Sequence, residues 1–314
     1  MTNPLQFTFL ESSRWKDYAL LDSGDGLKLE RFGKYIFVRP ESQAMWKRAL
    51  KESEWKNADA VFVPTGEESG GHWDFKKKVE EQWTLNYPLP LPNKHLSFKV
   101  MTTPGRHLGV FPEVAAHWDW FSELVHHRVQ TPARAGGTGG DHRETNVLNL
   151  FGYTGLASLA AAAAGAKVTH VDASKKSVGW ARENQSLSRL TETPIRWIVD
   201  DASKFVQREA RRGVKYDGII LDPPKFGRGP KGEVWEVYKS LPDLVSTCRE
   251  CLSPNPLFVV ITLYAVRASA IHVAQAMDDM MKGFGGKIDS GELVTREQSA
   301  GRLLSQAVYA RWEK

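Results

Sequence analysis

Short apolar segments alternate with longer helical segments from Asn146 onwards, and this alternation constrains the fold more than any other feature of the chain. The apolar segments predict buried strands, and the stretches between them predict helices. A strand, a helix and a second strand form a right-handed crossover that places both strands parallel in one sheet. The predicted strands are 146–150, 167–171, 195–199, 216–221 and 257–263, and the predicted helices are 154–164, 174–187, 202–212, 234–252 and 268–282.

Two more predicted strands, 292–296 and 306–311, follow the last helix with no helix between them, so they can pair antiparallel. The sequence therefore predicts an α/β fold with a Rossmann-like seven-stranded sheet whose last strand is antiparallel. Residues 1–96 are richer in Trp, Gly and Pro and predict a smaller β-rich N-terminal domain. Residues 97–141 are predicted to be a connecting hairpin and helix segment with a Gly-rich loop, and residues 142–314 form the ligand-binding domain.

The first predicted strand of this domain runs into Asn149-Leu-Phe-Gly-Tyr-Thr-Gly155, where a glycine turn precedes an Ala-rich helix. Such a turn brings backbone N–H groups at a helix N-terminus close to a nucleotide-like ligand. Asp172 ends the next strand, where doubly wound folds place an acid that binds ribose hydroxyls. The turn lacks the G-x-G-x-x-G pattern that a pyrophosphate requires. A ligand with a ribose and no phosphates, such as S-adenosylmethionine (SAM), therefore fits better than a dinucleotide.

The segment Asp222-Pro-Pro-Lys-Phe226 follows the fourth predicted strand, where a methyl acceptor would enter. The carboxylate of Asp222 and the carbonyl of Pro223 can accept hydrogens from an exocyclic nitrogen. Proline fixes φ, so that carbonyl is held rigidly. The basic, glycine-rich segment Gly227–Gly232 comes next and is typical of a loop that meets a phosphate backbone.

These elements together resemble a known family, the class I SAM-dependent methyltransferases. Within it, the chain is most similar to the bacterial group related to ribosomal RNA large-subunit methyltransferases. Members of that group carry the motifs N-L-F-x-Y-T-G, V-D-x-S and D-P-P-K-F, which this chain has at 149–155, 171–174 and 222–226. Trp180-Ala-Arg-Glu-Asn184 also matches, and the similarity covers about residues 98–314.

The resemblance implies a role for each motif. Phe151–Gly155 would wrap the methionine end of SAM, Asp172 would bind the ribose, and Asp201-Ala202 would hold the adenine. Thr103–Glu113 occupies the position of a segment that closes over the cofactor. The implied cofactor-binding residues are Asn149, Phe151, Gly152, Tyr153, Thr154, Gly155, Asp172, Ala173, Ser174, Asp201, Ala202 and Asp222, and the implied catalytic residues are Asp222, Pro223, Pro224 and Lys225.

Simpler interpretations stay open for several of these residues. Asp172 can be the N-cap of the helix that follows it, and Asp200 or Asp201 can cap the helix near Ala202. Relatives that methylate carbon 5 of cytosine carry Ser-Cys-Ser after the fifth strand, where this chain has Ile261-Thr-Leu-Tyr-Ala265. The resemblance therefore implies base methylation without a cysteine nucleophile.

RNA, with ribosomal RNA favoured, is the expected partner, and the net charge of +5 permits it. A SAM-dependent enzyme with a protein or small-molecule acceptor, and a non-catalytic RNA-binding assembly factor, are the alternatives. No apolar run approaches the roughly 20 residues of a membrane span, and the N-terminus shows no secretory signal, so we expect a cytoplasmic protein. Cys248 and Cys251 have no second Cys or His pair, so no metal site is predicted.

Overall fold

The computed structural model describes residues 6–65, 70–131 and 144–314. Apart from Thr131, the Gly-rich loop predicted up to Asp141 lies outside the described residues. None of the helices within these ranges is long and apolar enough to cross a membrane.

The N-terminal part of the chain is almost entirely β-structure. Its elements are β1 (Gln6–Glu11), β2 (Tyr18–Gly24), β3 (Leu27–Phe32), β4 (Tyr35–Pro40), α1 (Glu52–Lys56), β5 (Ala60–Pro64), β6 (Gly71–Phe75), β7 (Trp83–Pro88) and β8 (His95–Val100). Strands β2 to β6 form one sheet in sequence order, and β7 and β8 form a separate antiparallel hairpin.

The rest of the chain alternates between helices and strands, as predicted. A 3-10 turn at Pro112–Val114 leads into the first long helix. The elements are α2 (Ala115–Gln130), β9 (Asn146–Leu150), α3 (Leu156–Ala163), β10 (Lys167–Asp172), α4 (Lys175–Leu187), β11 (Ile195–Val199), α5 (Ala202–Arg211), β12 (Gly218–Leu221), β13 (Phe226–Arg228), β14 (Val234–Glu236), α6 (Val237–Glu250), β15 (Phe258–Tyr264), α7 (Ala270–Met281), β16 (Lys287–Arg296) and β17 (Leu303–Glu313).

The large sheet has the order β1-β16-β17-β15-β12-β9-β10-β11. Strands β9, β10, β11, β12 and β15 are mutually parallel, and β17 is antiparallel to both of its neighbours. The predicted Rossmann-like sheet with an antiparallel last strand is confirmed. It has eight strands instead of seven, because β1 pairs in parallel with β16 at the sheet edge. The division at residues 96 and 141 remains a proposal, although β1 lies in the large sheet.

One predicted helix differs in its start. The sequence pattern of 234–252 predicts a single helix, but residues 234–236 form β14, which pairs with β13 in a hairpin. Trp235 is buried in this hairpin, and its indole Nε1 donates a hydrogen bond to the carbonyl of Pro224 (2.7 Å). This tertiary contact holds the segment extended, so α6 begins only at Val237.

Alternate residues of the central strands face opposite sides of the sheet, as the period of a strand requires. On β9, Val147 packs with α2 and α3, while Leu148 packs with α5, α6 and α7. The first of these two cores continues into the N-terminal sheet through Phe32 and Phe37, and into the β7–β8 hairpin through Trp83. The shared core fixes the N-terminal sheet against the end of the large sheet where the predicted motifs lie.

Candidate active site

A cleft of about 760 Å³ opens at the carboxyl ends of β9, β10, β12 and β15. This is where open α/β sheets bind ligands, and the volume suits a small molecule. All predicted site residues except Gly155 line the cleft, so the fold brings the separate motifs together.

The turn after β9 is held in an unusual backbone conformation. Phe151 and Tyr153 both have positive φ, 59° and 48°. A Cβ on Gly152 would lie 2.3 Å from the His170 ring, which packs beneath the turn. Gly155 has φ 85° and packs closely on Ala181 in α4. It therefore faces that helix and supports the turn from behind, and it does not line the cleft. The two glycines are therefore required by close packing and, at Gly155, by positive φ.

Gly152→Ala should destabilise the protein by about 1–3 kcal/mol, because the new methyl group overpacks against buried His170. Gly179→Ala in α4 is the matched control, since a Cβ there meets no atom within 4 Å. Denaturant unfolding of both variants tests this. Equal stability of Gly152→Ala and wild type would contradict the packing argument.

The carboxylate of Asp172 organises the next part of the cleft. It accepts backbone hydrogen bonds from the N–H groups of Tyr153 and Ser174, each 2.8 Å long. Burial raises the pKa of Asp172. The N-cap of α4 is Ser174, whose hydroxyl accepts from the N–H of Ser177. Asp172 thus joins the two motif turns, and each of its oxygens retains a lone pair for a ligand.

Asp201 caps α5 by accepting from the N–H of Lys204 (2.9 Å), and its neighbour Asp200 is ion-paired with Arg208. The capping interpretation of Asp201 is therefore correct in this structure. Asp201 and Ala202 also line the cleft, so capping and ligand binding are compatible.

The matched segment Trp180–Asn184 braces the turn against the chain before α2. The side chain of Asn184 donates to the carbonyl of Thr154 (2.9 Å) and accepts from the N–H of Lys99 (2.9 Å). Trp180 packs against Gly109, where a Cβ would approach to 2.3 Å. The hydroxyl of Thr154 donates to the Gly109 carbonyl (2.7 Å). The segment predicted to close over the cofactor is thus tied to the turn.

Asp222 directly follows β12, on the other side of β9 from Asp172. Burial, and secondarily the nearby Glu113, raise its pKa to about 8. Pro223 is buried beside it, whereas Phe226 is 55% exposed at the start of β13. The ammonium of Lys225 lies 5.4 Å from the centre of the Phe226 ring.

The basic segment Gly227–Gly232 forms part of the β13–β14 hairpin at the mouth of the cleft. Arg228 and Lys231 are exposed there. Gly227, Gly229 and Gly232 have G-x-G-x-x-G spacing, but they do not connect a strand to a helix. The spacing therefore does not indicate a dinucleotide site.

The N-terminal sheet contributes cleft residues that the sequence analysis missed. Arg39 is buried and donates from Nε and Nη2 to both carboxylate oxygens of Glu30 (2.7 and 2.8 Å). Lys28 reaches across to β17 and donates to the side-chain oxygen of Gln306 (3.1 Å). Lys28, Arg39 and Gln306 all line the cleft. No local motif marks these residues, because only the tertiary fold brings them to the site.

Both cysteines lie away from this cleft. Cys248 and Cys251 are buried among α5, α6 and the adjacent sheet face, and neither lines the cleft. Burial raises the pKa of both thiols, that of Cys251 to about 11, so both are protonated at neutral pH.

A crystal structure of a SAM-dependent methyltransferase from Agrobacterium tumefaciens is similar to this protein over its whole length. The two sequences are 48% identical, the match covers 100% of this chain and 96% of the other, and the TM-score is 0.87. This chain belongs to the SAM-dependent methyltransferases.

The methyltransferase also matches the family model described as conserved hypothetical protein 95, over residues 137–242. Ribosomal RNA large subunit methyltransferase K/L from Shewanella frigidimarina is 38% identical over 112 residues. That match covers 35% of this chain but only 15% of the Shewanella protein. The similarity to this curated relative is therefore confined to a small part of its length.

The cofactor of the family is SAM, and the residues of the cleft fit it. The turn after β9 gives close backbone approach without the glycine spacing that a pyrophosphate needs. The Asp172 carboxylate, at the end of the neighbouring strand, can accept hydrogen bonds from ribose hydroxyls. When bound, SAM supplies an electrophilic methyl group.

Proposed function

We propose that this methyltransferase transfers the methyl group of SAM to a base of RNA, with ribosomal RNA favoured, and does so without a cysteine nucleophile. The observation that carries the proposal is that Asp222-Pro-Pro-Lys225 lines the cleft next to the turn after β9, beside a basic hairpin. The sequence similarity to an enzyme named for ribosomal RNA supports the choice of acceptor.

In this proposal the cofactor lies along the motifs. Phe151–Gly155 hold the methionine end, Asp172 binds the ribose, and Asp201-Ala202 hold the adenine. Asn149, Ala173 and Ser174 complete the wall of the cofactor site. The arrangement leaves Asp222 and Pro223 to face the acceptor.

Asp222 and the Pro223 carbonyl are suited to an acceptor that carries N–H groups. Methyl transfer is an in-line displacement, so much of the rate enhancement comes from aligning the acceptor atom, the methyl carbon and the sulfur. The two oxygens accept hydrogens from the acceptor nitrogen and make its lone pair more available. The Asp222 carboxylate would stabilise the positive charge that develops on the nitrogen as the C–N bond forms and the C–S bond breaks, and it would accept the proton that the nitrogen then loses.

The proposal excludes attack by a cysteine on the base, because the thiols of Cys248 and Cys251 are protonated and outside the cleft. At the end of β15, Tyr264 and Ala265 line the cleft instead. A nitrogen acceptor, which attacks the methyl group directly, fits this composition better than carbon 5 of cytosine.

The deciding experiment is transfer of labelled methyl from SAM to total RNA from cells that lack the gene, with RNA from normal cells as control. Label that enters only the RNA of the deletion strain supports the proposal, and nucleoside digestion then names the methylated atom. Label that survives RNase treatment, or enters protein or a small molecule, would favour the alternative acceptors. Confirmed SAM binding without transfer to any substrate would favour a non-catalytic assembly factor.

Arg228→Ala combined with Lys231→Ala should weaken RNA binding and flatten its salt dependence. If each side chain contacts one phosphate of a single strand, the negative slope of log K against log salt becomes shallower by about 1.4. Filter binding at several salt concentrations measures the slope. Lys51→Ala with Lys56→Ala makes the same change in net charge near α1 and should leave the slope unchanged. Equal slopes for the hairpin variant and wild type would contradict contact with RNA.

A further inference from the structure

Two buried polar side chains lie one helical turn apart at the inner wall of the cleft. Glu113 belongs to the 3-10 turn before α2, and His117 follows four residues later in the first turn of α2. Glu113 is 5% exposed and His117 is 3% exposed, yet both line the cleft. The sequence alone assigns no individual role to either residue. Glu113 is only the last residue of Thr103–Glu113, the segment expected to close over the cofactor.

The hydrogen bonding of His117 fixes its tautomer. The Nε of Arg311 donates to Nδ1 of His117 (2.7 Å), and a guanidinium has no acceptor atom, so Nδ1 must accept. Burial and the neighbouring Arg311 hold the pKa of His117 well below its usual range. The ring is therefore neutral and carries its proton on Nε2. That Nε2 atom is buried and has no hydrogen-bond partner within the described residues.

The Glu113 carboxyl is a hydrogen-bond acceptor, whereas His117 Nε2–H is a donor. Tyr264 is its neighbour in the cleft, and the Tyr264 hydroxyl is buried without a well-formed hydrogen bond among the described residues. The charged groups that face Glu113 from the N-terminal sheet are Lys28, Arg39 and Glu30, and both cations are already ion-paired with Glu30. Burial raises the pKa of Glu113. A ligand that brings a cationic donor would compensate this buried carboxylate.

We propose that Glu113 and His117 bind the amino-acid end of SAM. The Glu113 carboxylate accepts hydrogen bonds from the α-ammonium, and the Nε2–H of His117 donates to the α-carboxylate. An α-amino acid presents an ammonium and a carboxylate on one carbon, and these two side chains offer an acceptor and a donor in one cleft. The inference concerns the cofactor alone, so it does not depend on RNA being the acceptor.

The test compares three ligands by isothermal titration calorimetry: SAM, S-adenosylhomocysteine, and 5′-methylthioadenosine, which lacks the amino-acid end. Glu113→Gln should weaken binding of SAM and S-adenosylhomocysteine by about ten- to a hundredfold, because it keeps one acceptor oxygen but removes the negative charge that faces the α-ammonium. The affinity for 5′-methylthioadenosine should stay within about twofold of wild type, since that ligand makes neither contact.

His117→Asn is the second variant. Its side-chain oxygen can replace Nδ1 as the acceptor for Arg311, while the Nε2 donor is lost, and the same ligand pattern is expected. Asp119→Asn is the matched control, because Asp119 lies on α2 outside the cleft. Melting curves establish that each variant is folded, and if one variant fails to fold, the other decides the question.

Three results would overturn the proposal. One is SAM affinity within about threefold of wild type in a folded variant. Another is an equal loss for 5′-methylthioadenosine, which would point to a general disturbance of the cleft. The third is a loss for SAM but not for S-adenosylhomocysteine, which would place the interaction at the sulfonium.

Discussion

Asp222→Asn should lower kcat by roughly 10²- to 10³-fold, the effect of removing one electrostatic contact to a developing charge. Asparagine keeps the shape of the side chain and one acceptor oxygen but has no negative charge. The loss should appear under saturating SAM, so it is separable from cofactor affinity. Single-turnover methyl transfer to the accepted RNA measures it. Asp243→Asn on the exposed face of α6 is the control and should retain wild-type kcat.

The change of wild-type kcat/KM with pH should follow the ionisation of the Asp222 carboxyl. Its pKa is about 8 because burial and Glu113 disfavour the charged form. Activity that needs the carboxylate therefore rises in kcat/KM between pH 6 and pH 9, and Asp222→Asn should lack that rise. A variant with wild-type kcat, or with an unchanged pH profile, would remove Asp222 from the chemical step.

Stability should change with pH in the opposite direction. The ordinary pKa of an aspartate is 3.8, so between about pH 4 and pH 8 folded Asp222 retains a proton that the unfolded chain has lost. The stability of the wild type therefore falls as pH rises through this window. Asp222→Asn lacks this contribution, so its melting temperature relative to the wild type should rise from about pH 4 to pH 8 and then level off. Glu113, whose pKa is also raised, contributes in the same direction in both proteins.

Asp172→Ala should weaken SAM binding by about tenfold to a few hundredfold, since hydrogen bonds to a charged group are each worth roughly 1.5–3 kcal/mol. The substitution removes the proposed ribose acceptor. It also removes the carboxylate that accepts from the N–H groups of Tyr153 and Ser174, so the two turns lose their link. Calorimetry with SAM measures the affinity, and circular dichroism establishes that the variant is folded.

Asp200→Asn is the control for this prediction. Asp200 also lines the cleft, but its carboxylate is ion-paired with Arg208, and we expect its loss to change SAM affinity by less than about threefold. Unchanged SAM affinity in folded Asp172→Ala would show that the ribose is bound elsewhere. An equal loss in both variants would indicate a general effect of negative charge in the cleft.

The parallel strands and helices were predictable because their signals are local. Strand β9 and strand β11 have the bounds predicted from the apolar runs 146–150 and 195–199. The glycine turn at Gly152 and the carboxylate at Asp172 were placed at the end of their strands by spacing alone. Parallel strands connected by helices must end at one sheet edge, so the convergence of these motifs followed from topology.

The assignment of caps and the start of α6 required the tertiary structure. Both Asp172 and Ser174 are good N-cap residue types, and only the geometry shows that Ser174 caps the helix while Asp172 links two turns. The stretch after residue 234 has a helical pattern, but Trp235 packs into the hairpin and delays the helix. In both cases several local solutions were available, and a contact with a residue outside the helical stretch selected one.

By itself, the sequence determined the Rossmann-like sheet, the strand ends that carry the motifs, and the family resemblance. The tertiary structure alone decided that β1 joins the sheet edge beside β16, and that Lys28 reaches Gln306 across the cleft. It also placed Glu113 and His117 in the cleft that Asp222 lines. Periodicity and turn chemistry act between near neighbours and are visible in the sequence. Contacts between residues more than a hundred positions apart depend on how whole sheets pack together, and no local pattern records them.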